Sequence, residues 1–175
     1  MIDQNMINLL KKNYHLHPGE IFVTGDDMNI TTVLGSCVAV CIWDSKRGIA
    51  GMNHIMLPVT RDDEPYSTRY GNVATFVLYD MLRSEGCFPK FMRVMVFGGA
   101  NAMAKFGTSG GVNVGQRNID VTLKVLQKLK LDIIKKDLGG QRGRKIVFNV
   151  KTGKIDFNYL GQFDFGNEIE SIIGG

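Results

Sequence analysis

Two apolar runs, residues 38–43 and 49–57, are separated only by Asp44-Ser45-Lys46-Arg47-Gly48. The runs are rich in β-branched residues, and the link is polar and closes on glycine, which is the pattern of a β-hairpin. Antiparallel pairing across that link brings the end of the second run back beside the start of the first. Residues far apart in the chain, near positions 37 and 54, are thereby expected to be neighbours. Whatever else the chain does, it must fold around this hairpin.

The remaining pattern supplies the other layers. Ile2, Met6, Leu9 and Leu10 share one face of a possible short helix that ends before His17-Pro18-Gly19. A short strand is expected at 21–23, a turn at 25–27, and a polar surface loop at 58–69 carrying Asp62-Asp63-Glu64. Residues 72–84 suit a helix with Gly86 at its cap, and 116–129 form the clearest helical period. Strands are expected at 91–97, at 131–134 and 145–150 around the Leu138-Gly139-Gly140 turn, and near 155–159. The fold class predicted is α+β: a single-domain layered α/β sandwich with a mixed or antiparallel sheet, seven or so strands and two or three helices. The domain is expected to span 19–165, with an N-terminal extension at 1–18 and a C-terminal tail at 166–175.

Composition narrows the setting. The chain has 175 residues, a net charge of +4 and 44% hydrophobic residues, which are ordinary values for one soluble domain. Its basic residues are scattered and do not form a stripe with interleaved aromatics, so nucleic acid is not an expected partner. No apolar run approaches the ~18 residues of a membrane span, and the first residues lack a signal-peptide pattern. Three unevenly placed cysteines fit a reducing compartment. A cytoplasmic protein without membrane insertion is expected.

Cys37 follows Gly35-Ser36 at the mouth of the first apolar run. Glycine there is expected to permit a sharp turn with φ > 0 and to leave backbone N–H groups uncovered. Such a turn exposes a thiol in front of a buried strand, and its N–H groups can line an oxyanion hole. His54, near the end of the partner strand, is the candidate base, and a Cys–His pair is the minimum for thiol-based acyl transfer. Cys41, in mid-strand, reads as a small buried hydrophobe, and Cys87 as a loop or core residue. Thr31 by itself is a β-branched strand residue. The histidines and cysteines lack zinc-site spacing, and Gly98-Gly99 and Gly139-Gly140 match no nucleotide fingerprint, so no metal or cofactor is expected.

The strings LGSCVAVCIWD, GIAGMNHIMLP, RYGNVA and GGQRGRKIVFNVKTGKI occur in that order from about Gly19 to about Leu160. In this order they resemble the signature blocks of the CheD family of chemoreceptor glutamine deamidases. The resemblance implies hydrolysis of receptor glutamine side chains to glutamate through a thioester on Cys37, with ammonia released. It implies His54 as base and Thr31, six residues before the cysteine, as the residue that orients the imidazole; Gly35 and Ser36 give support. Methyl-accepting chemotaxis receptors are the partners implied, with a CheC-type phosphatase as a further one. A regulatory binding module and a peptidase or transglutaminase-like acyl transferase are the rival readings. Arg61, Arg69 and the turn at 141–145 are expected to place positive charge around the mouth.

Overall fold

The computed structural model describes residues 3, 11–102 and 112–161. The helix expected near the N-terminus and the tail at 166–175 lie outside the described residues. Along the chain run β1 (Lys12–His15), β2 (Ile21–Thr24), β3 (Met28–Leu34), β4 (Val38–Asp44), β5 (Ile49–Asn53) and α1 (Gly71–Ser84). A 3₁₀ turn (Pro89–Phe91), β6 (Met92–Gly98), α2 (Val114–Lys128), β7 (Ile133–Leu138), β8 (Arg144–Asn149) and β9 (Ile155–Tyr159) follow. The strands form two mixed sheets, in the orders β2-β5-β4-β6-β7 and β1-β3-β8-β9. The fold is α+β and layered, as the sequence predicts, with two sheets where one was expected.

The central hairpin explains the layering. Alternate residues of a strand face opposite sides, and β4 is apolar on both. Ala39 and Cys41 enter a core between the two sheets with Ile30, Leu34, Met52, Phe97 and Phe148. Val38, Val40 and Ile42 enter a second core under the helices. There α1 contributes Ala74, Leu78 and Leu82, and α2 contributes Ile119 and Leu126, at the spacing of one helical face. The β4–β5 link closes as expected: Gly48 N donates to Asp44 O at 2.8 Å, and Asp44 Oδ1 accepts from the N–H groups of Lys46 and Arg47.

Two expectations change. The strands on either side of Gly139-Gly140 do not pair with each other. β7 lies parallel to β6 in the five-stranded sheet, while β8 lies antiparallel to β3 in the other. Arg144, whose side chain is 1% exposed, braces the crossing between the sheets: it donates to Asp137 and to the carbonyls of Gly139 and Arg142. Second, part of the supposed N-terminal extension belongs to the fold. β1 pairs in parallel with β3, and Leu16, just after it, is fully buried in the inter-sheet core.

Candidate functional site

The β4–β5 register carries the site. Cys41 pairs with Met52, and the same register continues beyond the strand end, where Val38 and Ile55 exchange two backbone hydrogen bonds of 3.0 and 2.7 Å. Val38 and Ile55 face the helices, so their neighbours Cys37 and His54 lie on the inter-sheet face. Opposite pairing of Cys37 with Met56 and of Ala39 with His54 makes Cys37 and His54 diagonal neighbours, a relation that places Cα atoms roughly 7–8 Å apart. The hairpin places on one face the two residues that the sequence singles out. Cys37 is partly exposed, whereas Cys41 and Cys87 are fully buried.

The imidazole of His54 is 2% exposed, and its Nδ1 lies 2.8 Å from Thr32 Oγ1. The same hydroxyl donates its one proton to the carbonyl of Leu16 at 2.8 Å. Thr32 Oγ1 therefore accepts a hydrogen bond from His54, which fixes the tautomer: Nδ1 carries hydrogen and donates it, and Nε2 keeps its lone pair. Burial pushes the His54 pKa down to about 4; the Leu16 carbonyl opposes this, and the neighbouring imidazoles of His15 and His17 add to it. Burial pushes the Cys37 thiol up. Two groups shifted in these directions form a neutral thiol and neutral imidazole at rest, not an ion pair.

Thr31 does not stand where it was expected. Its hydroxyl lies 3.4 Å from His15 Nδ1 on the exposed side of β3, and Thr32 takes the place beside His54. The reason is the alternation of β3, in which Ile30, Thr32 and Leu34 face inward. The strand's own inside–outside pattern is the signal that places Thr32 beside His54.

Gly35 also departs from expectation: its φ is not positive, and a Cβ there would meet nothing within 4 Å. The glycine that the turn requires lies on the neighbouring strand. Gly98 has φ 113°, and a Cβ on it would lie 2.2 Å from the Cys37 carbonyl oxygen. Around the turn at 35–37 the carbonyls are all held back. Gly35 O accepts from Ala100 N at 2.9 Å, Ser36 O from Asn118 Nδ2 at 3.0 Å, and Cys37 O from Gly99 N at 2.8 Å. Among the described residues, no acceptor takes the N–H groups of Gly35, Ser36 or Cys37. Tied carbonyls and free N–H groups are what an oxyanion site needs.

Asn118 is the residue that the sequence reading missed. It is fully buried on α2, and its Nδ2 donates to both Ser36 O and, at 3.1 Å, Met56 O, linking the two strand ends that carry Cys37 and His54. A buried amide on a face otherwise made of Gly115, Ile119, Thr122 and Leu126 is the available clue. Of the expected rim charges, Arg69 holds the strand after His54, its carbonyl accepting from Met56 N and Leu57 N. Arg142 lies over the Tyr159 ring at 5.3 Å, and Arg144 is spent on the inter-sheet brace.

Residues 56–158 match the family described as CheD chemotactic sensory transduction. The chain belongs to the CheD family. A curated relative from Sulfurimonas denitrificans, named "Probable chemoreceptor glutamine deamidase CheD", is 38% identical over 151 residues, covering 86% of this chain and 96% of its own. A relative of the same name from Trichlorobacter lovleyi is 38% identical and covers 82% of this chain and 88% of its own. The CheD family match begins at Met56, past both strand ends, but an alignment over 86% of this chain necessarily takes in Cys37 and His54. Hypothetical protein YfiH of Bacillus licheniformis superposes with a TM-score of 0.44 at 13% identity, covering 67% of this chain and 49% of that one.

Proposed function

We propose that the chain is a cysteine-dependent deamidase that converts glutamine side chains of chemoreceptors to glutamate. The CheD relatives carry that activity in their names, and the observation that supports it most in this chain is the Thr32–His54 hydrogen bond. It orients an imidazole with a free Nε2 on the same face as the one partly exposed thiol.

The steps follow from that arrangement. His54 Nε2 takes the thiol proton as Cys37 Sγ bonds to the carboxamide carbon, so charge separates only in the transition state. The oxygen of the tetrahedral species is stabilised by the N–H groups of the 35–37 turn, a contribution of about 3–4 kcal/mol for one good donor. His54 gives its proton to the departing nitrogen, the C–N bond breaks, and ammonia leaves. Water then surrenders a proton to Nε2 and attacks the thioester; the C–S bond breaks, glutamate forms, and the thiol is restored. Thr32 accepts from Nδ1–H throughout. A hydroxyl stabilises imidazolium less than a carboxylate does, which suits a base whose cationic form exists only briefly.

The test is mass spectrometry of a receptor cytoplasmic fragment with assay of ammonia. Gln-to-Glu conversion with matching ammonia, lost in Cys37→Ala and His54→Ala, supports the reading. Backbone cleavage, or amine incorporation without ammonia-coupled Glu formation, replaces it with a peptidase or a transferase.

A further inference from the structure

At the far end of β4 from Cys37, the hairpin link, the 3₁₀ turn and the end of α1 enclose a second cleft of about 430 Å³, lined by Lys46, Arg47, Phe88, Lys90 and Phe91. Hydrogen bonds to backbone carbonyls hold it: Ser45 N donates to Phe91 O at 3.2 Å, and the Arg83 side chain donates from Nη1 to Cys87 O at 2.9 Å. Gly86, with φ 83°, leaves space for the Arg47 guanidinium, whose nearest atom lies 3.2 Å from where a Cβ would stand. Among the described residues, the side-chain cations of Lys46, Arg47, Arg83 and Lys90 form no ion pair with a carboxylate. The buried Asp44 carboxylate takes the backbone N–H groups of Lys46 and Arg47, and Glu85 is the exposed acid closest in sequence. Lys46 and Lys90 both sit 4.9 Å from the Phe91 ring centroid, and Arg83 sits 5.3 Å from that of Phe88.

We propose that this cleft is a docking point for an acidic segment of the protein substrate, separate from the site that holds the glutamine. Four cations without acid partners call for carboxylates. Lys46 and Lys90 both engage the Phe91 ring, which competes with stacking by a nucleic-acid base, whereas the half-exposed Phe88 can take apolar contact beside a carboxylate. β4 has seven residues, which puts the cleft roughly 20 Å from Cys37 at about 3.3 Å per residue. A substrate held at both places is therefore read over a long stretch, and the second contact acts on encounter and on KM. The proposal rests on the deamidase reading only for the identity of the occupant.

The test compares the full chain with Lys46→Glu/Lys90→Glu and with the milder Lys46→Gln/Lys90→Gln, using a chemoreceptor cytoplasmic fragment and a short glutamine peptide. At low salt the reversal should raise KM for the fragment about tenfold with kcat unchanged, and the difference should shrink as salt screens it. The short peptide and Cys37 alkylation should be unaffected. Deamidation of the fragment with unchanged KM overturns the docking point and leaves the deamidase reading intact. Fragment binding that is lost on reversal, without any deamidation by the parent, does the opposite. Equal binding of a single-stranded oligonucleotide, or charge-dependent self-association through the acidic loop at 62–64, also overturns the proposal.

Discussion

Thr31 and Thr32 separate what counting along the chain can do from what folding does. Both are β-branched hydroxyl residues, and only the alternation of β3 decides which one meets His54. Thr32→Val removes the acceptor for Nδ1–H and should lower kcat for deamidation by about 10–100-fold, less than the roughly 100- to 10,000-fold that acid–base catalysis itself supplies, because Thr32 only orients the base. Thr32→Ser should keep most of the rate, and Thr31→Val should stay within about twofold of the parent. At the same scale, a thiol pushed up and an imidazole pushed down to about 4 make a neutral resting pair. Iodoacetamide should therefore modify Cys37 ahead of Cys41 and Cys87, at a rate that keeps climbing above the ordinary thiol range. Deamidation should not lose its base as pH falls from neutral to about 5, because His54 stays unprotonated until near 4. A rate that tracks an imidazole of ordinary pKa contradicts this electrostatic picture.

The elements that hold the pair were unevenly legible. The hairpin, α1, α2 and the β8–β9 hairpin announce themselves by period and turn residues. β1 does not, because its segment is polar; β3 carries a readable alternation of Met28, Ile30, Thr32 and Leu34 facing inward, but the parallel pairing of β1 with β3 has no local signature. The same blind spot hid Leu16, whose carbonyl anchors Thr32, and Asn118, which acts through α2 on both strand ends. Asn118→Leu leaves the Ser36 and Met56 carbonyls without their donor and should cost about 1–3 kcal/mol in chemical denaturation. It should also slow deamidation more than loss of stability explains. Gly98→Ala tests the close approach of β6 to the nucleophile turn. A Cβ 2.2 Å from the Cys37 carbonyl, on a φ of 113°, cannot be accommodated without moving one or the other. Alkylation of Cys37 in a folded Gly98→Ala chain should change, whereas Gly35→Ala, with open space around it, should leave the turn in place.

For the whole molecule, the layered architecture buries His54 between two sheets while leaving the Cys37 thiol at the edge, and the burial of His54 links the site to stability. The unfolded chain holds a proton on His54 up to about pH 6.5 and the folded chain only up to about 4. Between those values the unfolded state binds more protons, so this contribution to stability is complete above about pH 6.5 and is lost as pH falls towards 4. His54→Gln should flatten that part of a urea-midpoint profile. Among the described residues, no helix is long and apolar enough to cross a membrane.

The central claim is that Cys37, with His54 as base, forms a thioester with the glutamine side chain. Hydroxylamine trapping during turnover of a receptor fragment, read by tandem mass spectrometry, tests it most directly. The account predicts glutamyl hydroxamate at the deamidated glutamines with the parent chain and none with Cys37→Ala. Glutamate or hydroxamate formed at the parent rate by Cys37→Ala would contradict it.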